Sequence, residues 1–131
     1  MKIFILTIIA IFGITTIAPA KAQETLNVRI GQTKTADHGK IKIKFISVLD
    51  DSRCPMNARC IWAGNAKIKI EVSKRRGVSK IVELNTGVEP KLVTVYGYEL
   101  SLQDLTPQKG APANWARRHK TATISVQKIG Q

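Results

Sequence analysis

Residues Lys40-Ile41-Lys42-Ile43-Lys44-Phe45 alternate polar and apolar without a break, and Ala66-Lys67-Ile68-Lys69-Ile70-Glu71-Val72 does the same. That period of two belongs to a β-strand with one buried face and one wet face. Past Phe45 the phase slips, and Ile46 and Val48 continue on the other parity, which predicts a β-bulge near Phe45. Shorter runs of the same kind are Leu26–Ile30, Lys80–Leu84 and Leu92–Tyr96. Two more complete the set: Tyr98–Leu102, with Tyr98, Leu100 and Leu102 inward, and Thr121–Ile129, with Ala122, Ile124 and Val126 on one face. Gln32–Lys40 reads as a turn with its tight bend at Asp37-His38-Gly39. About seven short strands, with no 3.6-residue period after residue 22, predict an all-β fold. Two antiparallel sheets in an immunoglobulin-like sandwich are the expected form, with a small barrel as the alternative.

The first residues follow another pattern. Lys2 precedes an uncharged run from Ile3 to Ala18, and Ala20-Lys21-Ala22 ends it with small residues at alternate positions. This is the layout of a secretory signal peptide, cut after Ala22. The run of about 16 residues falls short of the ~20 that span a bilayer, so cleavage is expected over a retained anchor. Residues 23–131 then form one domain, periplasmic or secreted, with no stable membrane insertion. No cysteine sits at the cut to carry a lipid.

Export bears on the only two cysteines, Cys54 and Cys60, which an oxidising compartment joins. Closing that short loop is worth roughly 2–2.5 kcal/mol in lost unfolded-state entropy. With His38 and His119 the only histidines, the pair makes a poor zinc set, so neither metal nor cofactor is expected. C-x5-C is not the C-x-x-C of a disulfide exchanger either.

Charge narrows the partners. The whole chain carries 21 basic against 9 acidic residues, a net +12. Lys2 and Lys21 leave with the leader, which makes the mature chain about +10. Such a surplus favours acidic partners: acidic polysaccharide, anionic lipid headgroups, nucleic acid or an acidic protein.

Asp51-Ser52-Arg53-Cys54-Pro55, followed by Cys60, Trp62, Gly64 and Ala66, resembles a D-S-R-C-P-x4-C-x-W-x-G-x-A signature of small exported bacterial proteins of unassigned activity. The resemblance runs more weakly from about Leu26 to Ile129. It implies an exported β-domain and carries over no catalytic residue.

Three features compete for a functional role. The cysteine loop is first a structural staple, whose inner side Trp62 is placed to cover. As a recognition loop it presents Arg53, Arg59 and Trp62. The 14-residue connection Pro107–Lys120 is long for a compact domain. It sets Trp115 beside Arg117, Arg118, His119 and Lys120, a ring for stacking next to cations for phosphate or carboxylate. The bland reading is a Trp tucked onto the sheet with a solvated basic tail. Lastly, Lys40, Lys42 and Lys44 stripe one strand, and Lys67 and Lys69 stripe another. Facing each other directly they would repel, so the expectation is strands in different sheets with solvated faces, with an anionic ligand lying across the stripes as the alternative.

The chain has no G-x-S-x-G, H-E-x-x-H or glycine-rich phosphate loop, and no activated nucleophile beside His38. The expected function is therefore non-catalytic: binding of an anionic partner. The alternative is a structural or accessory protein that holds another exported protein through a sheet edge or the disulfide-closed loop.

Overall fold

The computed structural model describes residues 13–17, 23–74 and 76–129. The leader expected over residues 1–22 lies outside them, apart from 13–17. Among the described residues no helix is long and apolar enough to cross a membrane.

Eight strands and one short helix follow in order among the described residues: β1 (Gln23–Arg29), β2 (Thr33–Ala36), β3 (Ile41–Asp51), β4 (Ala66–Lys74), β5 (Ser79–Asn85), β6 (Val93–Val95), β7 (Tyr98–Thr106), α1 (Ala113–Arg118) and β8 (Thr121–Lys128). They form two antiparallel four-stranded sheets, β1-β8-β7-β6 and β2-β3-β4-β5, packed as the all-β sandwich that the alternating runs predict. The layers are those of an immunoglobulin-like sandwich, but the connections differ. Apart from β1, strands sit beside their neighbours in sequence, and β1 joins β6–β8 by pairing with β8, so the chain meanders where an immunoglobulin domain uses Greek-key crossings.

The inward positions of both sheets share one core. Ile41, Ile43 and Phe45 of β3 meet Ile68, Ile70 and Val72 of β4, and Leu100, Leu105, Ala122 and Ile124 close it from the other sheet, all fully buried. Each large side chain of this set contributes about 1.5–3 kcal/mol. The bulge expected near Phe45 is present: the β3–β4 register shifts between Phe45 and Ser47, and again between Val48 and Asp50. A further shift between Leu102 and Asp104 lets β7 turn Leu105 inward again after Leu102.

Three expectations need correction. Strand β2 lies inside the segment read as a turn, where Ala36 is its one buried residue and the ladder to β3 gives the segment its shape. Helix α1 lies inside the connection read as irregular; it buries no residue, so it leaves no apolar stripe to detect. The striped strands β3 and β4 are direct neighbours, not members of separate sheets. Repulsion is avoided by register. Lys44 stands opposite Glu71, Lys67 opposite Asp50, and Lys69 between Ser47 and Glu83. Opposite charges across a ladder are worth tenths of a kcal/mol each, so Lys44, Lys67 and Lys69 are offset by neighbouring acids, while Lys42 stands opposite the uncharged Ser73.

Candidate functional site

The loop between β3 and β4 and the connection between β7 and β8 cap the same end of the sandwich, and Arg53 ties them together. Its guanidinium grips Asp51 with two prongs, Nε to Oδ1 at 2.8 Å and Nη2 to Oδ2 at 2.9 Å. It also donates to the backbone carbonyl of Leu105, and to that of Pro107 at 3.2 Å. Both side chains are mostly covered, at 15% and 18% exposure. Arg53 is therefore a clamp and does not face a ligand, contrary to the expectation from sequence. No local pattern reveals this, because its carbonyl partners lie more than fifty residues away.

Burial works against the Asp51 carboxylate, but hydrogen bonds and charge from Arg53, with a smaller effect from Lys120, outweigh it and hold the carboxyl below its ordinary 3.8. A depressed folded value gives stability that is complete above the unfolded value and is lost as pH falls through the folded one. Unfolding free energy should therefore decline below about pH 4. Asp51→Asn should remove part of that decline in urea titrations at stepped pH. An unchanged slope between about pH 4 and pH 2 would assign it wholly to other carboxylates.

Beneath the clamp the loop is welded to the sheet. Ser52 N–H donates to the Asn65 carbonyl at 2.7 Å, and Asn65 N–H donates to Ser52 Oγ at 3.0 Å. The buried Asn65 side chain donates to Asn85 Oδ1 at 3.0 Å and accepts from Gly87 N–H at 2.8 Å. Gly64 sits at φ +72 with the Ser52 carbonyl oxygen 2.0 Å from where a Cβ would be. Gly87 is as tightly placed, 2.2 Å from the Gly64 oxygen on the same measure.

The outer part of the loop is closed by the Cys54–Cys60 disulfide, with Cα atoms 5.8 Å apart. Met56 N–H donates to the Lys109 carbonyl at 2.9 Å, and Gly110 packs against Pro55, Met56 and Asn57. Trp62 does not cover the inner side of the loop. It is 74% exposed, next to Ile61 at 93%, with Met56 also outside. Met56 and Ile61 are outward residues that the sequence pattern does not single out. The one signal for them is two large apolar residues in a loop with no periodicity to bury them.

In the connection, Trp115 is half exposed and stacks on His119, with ring centroids 4.6 Å apart and planes 18° from parallel. His119 Nδ1 lies 2.8 Å from the Trp115 carbonyl, which accepts its proton. Arg117 and Arg118 stand in the exposed last turn of α1, the end of a helix that favours cations. Lys120 is partly buried, and its charge adds the smallest of the effects on Asp51. Arg59 is exposed at the rim of the staple. Of the predicted site residues, then, Arg59, Trp62, Trp115, Arg117, Arg118 and His119 remain outward at this end, while Arg53 and Lys120 are withdrawn. No protein-family model, curated protein or solved structure matches the chain.

Proposed function

We propose that this chain is an exported, non-catalytic binding module that holds an anionic partner against the stapled end of its sandwich. The observation that carries the reading is convergence: two basic, tryptophan-bearing loops, remote in sequence, cap one end with Arg59, Arg117 and Arg118 outward. Trp62 adds weight. Among the residues of the signature, Asp51, Ser52, Arg53, Gly64 and Ala66 are occupied in packing or hydrogen bonding, whereas Trp62 stands in solvent. A stapled, clamped loop loses little freedom on binding, so its cations and rings are offered at low entropic cost. The partner is an acidic polymer or an acidic exported protein, with a lipid headgroup or nucleic acid as the other anionic classes.

Heparin chromatography of the oxidised protein tests this. The Arg59→Ala/Arg117→Ala/Arg118→Ala variant should elute at clearly lower salt, and the slope of log affinity against log salt should fall by about two to three. Trp62→Ala should weaken retention while leaving that slope in place. Elution of the triple variant with the wild type would sink the reading.

A second reading, an accessory protein that binds an exported partner through a sheet edge, has one observation in its favour. The three-residue β6 pairs only with Tyr98–Leu100, so Ser101–Thr106 has a hydrogen-bonded neighbour strand on one side only. A recess of about 480 Å³ with mixed polar and apolar walls lies beside that edge, between Asn85, Glu89, Lys91, Leu92, Ser101 and Gln103. Strand addition there would survive high salt, and a partner recovered in roughly 1 M salt would favour it over the first reading.

A further inference from the structure

The opposite end of the sandwich holds a second assembly that none of the sequence patterns singles out. Lys40 enters β3, Lys74 leaves β4, Tyr96 and Gly97 turn β6 into β7, and Lys128 ends β8. Together with Tyr98 they line a recess of about 420 Å³. Lys74 and Lys80 each place Nζ 5.1 Å from the centroid of the Tyr96 ring. The Tyr96 hydroxyl donates to the Val78 carbonyl, which holds the ring across the β4–β5 turn. Asp37 is the neighbouring carboxylate, and it is already engaged. Tyr98 donates to it, Lys128 Nζ lies 3.9 Å away, and the charges of Lys40 and His38 also act on it. Three lysines, Lys40, Lys74 and Lys128, thus line the recess, with Lys80 nearby against the Tyr96 ring, and the neighbouring acid Asp37 is already engaged by Tyr98 and Lys128.

The backbone adds an independent sign. Tyr96 has φ +52, the left-handed region that suits Gly or Asn and strains a bulky side chain. A tight β6–β7 turn needs a residue that tolerates this conformation, and needs no aromatic ring. The ring packs partly buried against the core and carries two ammonium groups 5.1 Å from its centroid, of which that of Lys74 belongs to the lining of the recess.

We propose that this recess binds the phosphate or sulfate group of a small molecule. Converging ammonium groups are point-charge partners for an oxyanion. The volume lies in the range of small-molecule sites and leaves room for a monosaccharide-sized body beside the charged group. The site is separate from the stapled end and does not depend on the function proposed for it.

The test is a set of amide NMR titrations of the oxidised protein at constant ionic strength, with inorganic phosphate, inorganic sulfate, glucose 6-phosphate and glucose. Saturable shifts at Gly97, Tyr98 and Lys128 are expected with the three oxyanion probes, with glucose 6-phosphate binding at least threefold more tightly than phosphate. Lys40→Gln/Lys74→Gln should weaken binding at least tenfold. Tyr96→Asn, a substitution that suits the turn, should preserve the spectrum and weaken binding as well. Absence of saturable shifts, equal response to glucose, or undiminished binding in a well-folded Lys40→Gln/Lys74→Gln variant would each overturn the proposal. The Arg59→Ala/Arg117→Ala/Arg118→Ala variant should leave these shifts unchanged, so failure at one end is told apart from failure at the other.

Discussion

Gly64→Ala is expected to lower the unfolding free energy by at least about 3 kcal/mol, beyond the usual range for adding one methyl group. The new Cβ would lie 2.0 Å from the Ser52 carbonyl oxygen and 2.9 Å from Arg53 Cα, both backbone atoms of the stretch that follows β3. Neither can retreat cheaply. Moving Ser52 breaks its paired hydrogen bonds with Asn65 and drags on the clamp above. Gly31 provides the control, because it too has positive φ, +82, yet nothing lies within 4 Å of its would-be Cβ. Gly31→Ala should cost only the left-handed backbone penalty, about 1–2 kcal/mol. Urea unfolding of the two variants side by side measures the difference. Equal costs would mean that the stacked backbone around Ser52, Gly64 and Gly87 relaxes freely.

Arg53→Ala should cost about 2–4 kcal/mol, somewhat less than the loss of a fully buried ion-pair partner because the site keeps some solvent contact. The Asp51 carboxylate loses the guanidinium and keeps the backbone N–H of residue 53, while the Leu105 and Pro107 carbonyls lose the same guanidinium donor. Arg53→Lys should recover less than half of the loss, since an ammonium cannot reproduce a planar fork that meets a carboxylate with two prongs. Arg59→Ala, at an exposed position on the same loop, should stay within about 0.5 kcal/mol of wild type. Chemical denaturation of the oxidised variants gives all three numbers. A cost for Arg53→Ala below about 1 kcal/mol would show that the loops dock without the clamp.

The two arginines lie beside the cysteines alike in sequence, yet only one is withdrawn from solvent, and the difference is not local. Strands β3, β4, β7 and β8 are legible because each buries alternate side chains, and burial imprints a period on sequence. Strand β2 is not, with Ala36 as its single buried residue, and neither is α1, which buries none. Register is out of reach for another reason. Each shift in the β3–β4 ladder exchanges which residues face each other, and the pairing of Lys67 with Asp50 depends on both shifts between Phe45 and Asp50. The candidate site divides in the same way. Composition marks the stapled loop and the basic connection, but the partners that withdraw Arg53 come from β7 and the residues after it. The lysine recess draws on the ends or edges of β3, β4, β6, β7 and β8, so only the topology assembles it. Its one local clue is a tyrosine placed before a glycine in a tight turn.

The pairing of the first strand with the last sets an order of assembly. Strand β8 is hydrogen-bonded to β1 on one side and to β7 on the other, with Gln23 beside Gln127. A chain emerging from its amino end therefore completes β2-β3-β4-β5 first, as consecutive hairpins, while β1 waits about a hundred residues for its partner. Until residues 121–128 arrive, β1 and β7 lack the strand that joins them and the core lacks the cover that Ala122, Ile124 and Val126 supply.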